Sequence, residues 1–223
     1  MIMKSFNWKK YTLLIGVLFL FPLIWVIFFG VMGKHHFNTL PYFDSQHLEG
    51  DTTLLGHRVA SASMVDENFQ AFDLEQLRGK VWLACFYDLS DDHIGKITER
   101  LLNVNFKYRD EPDIGIVVIA RKPDSLSQQA VTDYLKGLTK YNKFDGKWKY
   151  LMASDSIISK IEKESFFIQD LSSEARFRLV DTEGHIRGLY GNTEYHMQSI
   201  IEDIALLKKE VDIARYKKKH AQE

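Results

Sequence analysis

Two uninterrupted apolar runs, Val81-Trp82-Leu83-Ala84-Cys85-Phe86-Tyr87 and Ile114-Gly115-Ile116-Val117-Val118-Ile119-Ala120, restrict the fold more than anything else in this chain. A strand with one wet face alternates apolar and polar residues. A run that is apolar at nearly every position belongs to a strand buried on both faces, as in a parallel sheet covered by helices. Between the runs, Ile94, Ile97, Leu101 and Leu102 recur at helical spacing. The sequence therefore predicts strand–helix–strand with a right-handed crossover and parallel strands.

The pattern continues on both sides. A short hairpin-like stretch around Asn68–Asp73 and a segment that breaks at Gly79 precede the first run. After the second come a helix expected through Ala130, Tyr134, Leu135 and Leu138, a strand at Trp148–Met152, and a short helix marked by Ile157, Ile158 and Ile161. Arg176–Asp181 alternates, with Phe177 and Leu179 to one side and Arg178 and Val180 to the other. It turns at Thr182-Glu183-Gly184 and returns as His185–Tyr190, predicting a β-hairpin. A closing helix carries Met197, Ile200, Ile201, Ile204, Leu207 and Val211 on one face. The order βαβαβα followed by ββα is that of a thioredoxin-like α/β domain with a central mixed sheet.

Ahead of this domain, Tyr11–Gly33 reads YTLLIGVLFLFPLIWVIFFGVMG, with no charged residue. That length matches a helix crossing a bilayer core. A proline such as Pro22 is tolerated there, and Trp8 and Tyr11 sit where interfacial aromatics gather. A cleaved signal peptide would have a shorter apolar region ending in a small-residue site, and none follows Val31. Lys4, Lys9 and Lys10 precede the span, and only Lys34 follows it before Arg58, so the N-terminus is expected to stay in the cytoplasm. The predicted organisation is a cytoplasmic N-terminus at 1–10, a single-pass anchor at 11–33, a tether at 34–56 and a globular domain at 57–223. Its setting is a bacterial inner membrane with the domain in the periplasm. The formal net charge of −1 over 223 residues gives no case for nucleic-acid binding.

In this architecture chemistry is expected where the first core strand meets the next helix, here Tyr87-Asp88-Leu89-Ser90-Asp91-Asp92-His93-Ile94-Gly95-Lys96. Redox enzymes place cysteines at such helix starts because the helix N-terminus lowers a thiol pKa. This stretch has none. Cys85 is the only cysteine in the chain, so no intramolecular disulfide and no two-thiolate metal site can form. Its place within an apolar strand predicts an inert core thiol with a raised pKa, against the alternative of a single-cysteine redox or sensing group.

Leu179-Val180-Asp181-Thr182-Glu183-Gly184-His185-Ile186-Arg187-Gly188-Leu189-Tyr190 resembles the final hairpin of the SCO/SenC family, L-[VI]-D-x-x-G-x-I-R-G-x-Y. The likeness extends through the Phe37–Tyr42 tether and the closing helix. The resemblance implies a membrane-anchored thioredoxin-like protein handling copper during cytochrome c oxidase assembly, with some members acting as thiol-disulfide reductases. It also implies a metal held by two cysteines of a CxxxCP loop and a histidine before the last hairpin. Here Ser90 and Ile94 stand for the cysteines, Gly95 for the proline and Ser173 for the histidine. No histidine occurs between His93 and His185, and the cis-proline of thioredoxin enzymes has no counterpart after Pro123. Copper(I) selects thiolates and thioethers, so a serine hydroxyl is a poor substitute and isoleucine none.

The expectation is thus a degenerate member: not an enzyme, without a cofactor, and a binding or scaffold component or accessory subunit linked to a respiratory complex such as cytochrome c oxidase or its assembly factors. The alternative is a metal-handling protein using Asp88, Asp91, Asp92 and His93, completed by Asp170 or Glu174. Against it, Ser90 or Asp91 is expected to cap the helix, and the acids suit its positive end. The cluster also lacks the glycine and distal glutamate of a calcium loop. His35 and His36 could meet a metal or anionic headgroups, and Lys217-Lys218-Lys219-His220 phospholipid or an acidic partner, but an incidental pair on a tether and a solvated helix end are the expected readings, and an exposed His185 needs no special role. Tyr42, Phe43, Phe69, Phe72, Phe166 and Phe167 include candidates for either a docking patch or ordinary core.

Overall fold

The computed structural model describes residues 39–44, 57–88, 92–121, 127–138, 147–168 and 176–221, together with Leu18, Leu20–Pro22, Ile24 and Trp25. The chain divides into two units, Met1–Asn38 and Thr39–Glu223. The described residues of the first are helical, with Leu18, Leu20, Phe21, Ile24 and Trp25 exposed. Among the described residues no helix is long and apolar enough to cross a membrane; most of the expected 11–33 span lies outside them.

The second unit is built on one seven-stranded sheet. Its strands are β1 (Ser63–Val65), β2 (Ala71–Asp73), β3 (Val81–Asp88), β4 (Ile114–Arg121), β5 (Trp148–Ala153), β6 (Phe177–Val180) and β7 (Ile186–Tyr190), arranged in space as β2-β1-β5-β4-β3-β6-β7. The helices are α1 (Ile94–Lys107), α2 (Gln128–Leu138), α3 (Asp155–Glu164) and α4 (Glu194–His220), and a 3-10 turn occupies Leu74–Leu77. β3, β4 and β5 are parallel, as the apolar runs require, and β6 joins β3 antiparallel. This is the thioredoxin-like mixed sheet expected from the sequence.

The period of two along β3 divides the interior. Leu83, Cys85 and Tyr87 pack with Ile97, Leu101, Leu135, Ile200 and Ile204 on one face. Trp82, Ala84 and Phe86 pack with Leu77, Ile158, Ile161 and Phe166 on the other. With both faces covered, every residue from Val81 to Tyr87 is buried, which is the physical origin of the unbroken apolar run.

Three sequence readings are refined. α2 buries Val131, Thr132 and Leu135, while Ala130 and Tyr134 are exposed. The buried stripe keeps the expected Leu135 and takes in Val131 in place of the smaller Ala130. Residues 39–44, expected in the tether, belong to the globular unit: Leu40 is buried, and Phe43 N donates to Ile186 O at 3.1 Å. Of the aromatics, Phe166 is fully buried, whereas Phe69 is exposed at the β1–β2 turn.

Candidate functional site

The carboxyl ends of β3 and β4 form one pole of the sheet, where open α/β sheets bind their ligands. Asp88 closes β3 in register with Arg121 of β4. α1 begins at Ile94 with His93 as its N-cap residue, whose own side chain makes no cap hydrogen bond. The expected capping role of Ser90 or Asp91 falls outside the described residues, as do Ser173, Asp170 and Glu174.

Ile94, placed by the resemblance at a cysteine position, is 1% exposed and packed in the core with Tyr87 and Ile97. Tyr87 OH and Thr98 Oγ1 share a buried hydrogen bond of 2.7 Å beneath it. Cys85 lies one turn of pleat below the site, between Val118 and Phe177 in the sheet register. Burial pushes its thiol pKa well above the ordinary value, outweighing the opposing charge of Arg176. A thiol held protonated in mid-strand is neither a nucleophile nor a copper ligand. Among the described residues no three His, Cys, Asp or Glu side chains are placed to hold a metal ion. The residues described here do not fit a copper(I) site, because Ile94 offers no donor atom and the Cys85 thiol faces the core.

The same pole carries an ionic group that sequence reading missed. Arg121 reaches Glu162 Oε2 at 2.6 Å and Asp155 Oδ1 at 3.3 Å. Glu162 is 5% exposed, and among the described residues its Oε1 has no hydrogen-bond partner. Burial raises its carboxyl pKa, the charge and hydrogen bond of Arg121 pull it down, and Asp155 and Asp88 push it up again. One signal was present: Ile158, Ile161, Glu162 and Ser165 form a helical stripe, placing the carboxylate on the buried side of α3.

Arg178 is a second omission. It is 2% exposed, and its guanidinium donates to Phe166 O at 2.7 Å, Phe177 O at 2.9 Å and Phe167 O at 3.5 Å. Burial lowers its pKa to about 10. It fixes the backbone that leads into 169–175, the segment containing Ser173.

The residues carrying the family-like hairpin motif lie at the opposite pole. Asp181 Oδ1 accepts from the Glu183 and His185 amides, both at 2.9 Å. Gly184 sits at φ +85°, and a Cβ there would fall on the Arg78 guanidinium. His185, expected in solvent, is 4% exposed. Arg58 Nε donates to His185 Nε2 at 3.1 Å, which leaves the ring proton on Nδ1, 3.4 Å from Asp181 Oδ2. Arg187 donates to Leu40 O at 2.6 Å and Pro41 O at 3.2 Å, pairs with Glu210 Oε2 at 2.9 Å, and lies 4.1 Å over the Tyr42 ring. The motif therefore holds the 39–44 segment against the sheet and α4; it forms a fastening.

No family model matches the chain, and no curated protein matches it. Solved structures do. BsSco, a member of the Sco family of cytochrome c oxidase assembly proteins, is 23% identical over 68% of this chain and 93% of its own, with a TM-score of 0.54. A SCO1/SenC family lipoprotein from Bacillus anthracis is 20% identical over 69% and 96%, with a TM-score of 0.56. The thioredoxin domain of a thiol-disulfide oxidoreductase from Bacteroides vulgatus is 15% identical over 67% and 96%, with a TM-score of 0.54. At these identities the likeness is one of fold, shared by Sco proteins and thiol-disulfide oxidoreductases alike.

Proposed function

We propose that this chain is a Sco-like membrane protein without the family's copper site, acting non-enzymatically as a binding or scaffold component of a respiratory complex, cytochrome c oxidase or its assembly factors. In this reading residues 11–33 anchor it in the bacterial inner membrane, with the N-terminus in the cytoplasm and the domain in the periplasm. The observation that carries the reading is Ile94, a core side chain at the start of α1, where a redox or copper-binding relative needs a thiolate. Cys85 offers no replacement, since its thiol is buried in mid-strand. The structural likeness to Sco proteins and the hairpin motif support the respiratory assignment.

Purification of the tagged full chain in mild detergent tests this directly. Oxidase subunits or their assembly factors are expected to co-purify, and Cys85→Ser is expected to leave that association intact. Copper(I) titration against a chromophoric chelator should show no tight, stoichiometric uptake. Tight uptake abolished by Asp91→Ala or His93→Ala would replace this reading with metal handling at 88–93.

A further inference from the structure

The last two turns of α4 carry charge that the domain does not use. Met197, Ile200, Ile204 and Leu207 hold the helix to the core, and Val211 is the last apolar residue packed there. From Ala214 to Ala221 every residue is exposed. This stretch contains Arg215, Lys217, Lys218 and Lys219 and no acid. Arg215 is paired with Asp113 at 2.7 Å; among the described residues Lys217, Lys218 and Lys219 have no ion-pair partner. Tyr216 is exposed and stacks on His220, with ring centroids 4.1 Å apart.

The chain reaches the domain at this same pole. Leu40 N donates to Glu210 Oε1 at 2.8 Å. Glu210 precedes Lys217 by two helical turns, about 10 Å. Arg215 and Lys218 line a groove of about 560 Å³ together with Tyr42 and Glu210. Six peptide links join Gly33 to Thr39, a reach of at most about 20 Å. If 11–33 spans a bilayer, the covalent link keeps Thr39 within about 20 Å of its surface.

We propose that the cationic end of α4 rests on anionic phospholipid headgroups of the membrane in which the chain is anchored. This rests on the anchor reading given above. Successive lysines at 217–219 point about 100° apart around the helix, so they do not converge on one shaped ionic pocket, and their long flexible stems can reach toward a diffuse negative surface. An exposed tyrosine beside them is the side chain favoured at headgroup level. The attraction acts over roughly one Debye length, about 8 Å at physiological salt, so it is expected to be lost at high salt.

The full chain, reconstituted in nanodiscs of phosphatidylcholine alone or of phosphatidylcholine with phosphatidylglycerol, provides the test. Amide exchange across 213–221 should slow several-fold on the phosphatidylglycerol discs only, and high salt should reverse this. K217Q/K218Q/K219Q should abolish the slowing while β3 and β4 amides exchange as before. Equal exchange on both discs, with the protein incorporated, overturns the lipid contact and leaves the anchor standing. A chain that does not enter the discs removes the anchor and the contact together. Slowing found only in native membranes, and absent from phosphatidylglycerol discs, assigns the lysines to an acidic protein and overturns the lipid contact.

Discussion

Arg187 Nη1 lies 3.3 Å from Asp181 Oδ2, closing the β6–β7 turn with a charge pair whose side chains are 4% and 7% exposed. A buried pair of this kind is costly to break from one side, because the remaining charge has no water to return to. The same guanidinium also holds the Leu40 and Pro41 carbonyls, so the pair couples the hairpin to the chain segment ahead of the domain.

Arg187→Met should therefore destabilise the domain by about 3–5 kcal/mol in urea unfolding of the full chain in mild detergent. A loss below about 1 kcal/mol would show that Asp181 is satisfied by the Glu183 and His185 amides alone.

Glu210→Ala removes the acceptor of Leu40 N and one partner of Arg187. Hydrogen bonds to a charged group contribute about 1.5–3 kcal/mol, so the Leu40 and Phe43 amides should exchange at least about tenfold faster. Amides of β3 and β4 should not change. Unaltered exchange at Leu40 would place the hold on 39–44 elsewhere.

Cys85 should resist alkylation near neutral pH in the native chain and react at once when unfolded in guanidinium, since burial keeps the thiol protonated and covered. Native reaction at the rate of a free thiol would make Cys85 an accessible, functional group.

Ile94→Cys should cost about 1–3 kcal/mol of stability through lost packing against Tyr87 and Ile97. A neutral effect in the same unfolding measurement would mean that the side chain is not a core element.

Asp66 supplies a pH dependence with a definite sign. Burial pushes its carboxyl pKa up, but the Gln70 and Asn68 amides and the charge of Lys149 outweigh burial and hold it below the ordinary 3.8. Its contribution to stability is therefore complete above 3.8 and is lost as pH falls through the lower, folded value. Stability measured down the acid limb should fall less steeply for Asp66→Asn than for the unmodified chain. Parallel curves would show that the carboxylate is equally solvated when unfolded.

The central strands were legible because their signal is local. Val81–Tyr87 and Ile114–Ala120 are apolar throughout, and both are buried throughout. The buried stripe of α4 was equally readable from Met197, Ile200, Ile204 and Leu207. In α2 Leu135 was legible, but Ala130 and Tyr134 are spaced as Val131 and Leu135 are, and periodicity alone does not choose between two neighbouring stripes. The polar groups were the least readable. Nothing near His185 in sequence indicates that Arg58, 127 residues away, covers it, or that Glu162 meets Arg121, 41 residues earlier.

By itself the sequence determined the layered α/β fold and the presence of a single thiol, because alternation, apolar runs and residue identity are properties of short stretches. It also determined that Ile94 carries no ligand atom. The tertiary structure decided where those residues stand. It turned Cys85 into the α1–α4 side of the core, made Ile94 part of the same core, and showed that the hairpin motif fastens Leu40 to Glu210 across 170 residues of chain. Burial and charge pairing depend on which distant segments meet, and that is fixed only when the sheet is assembled.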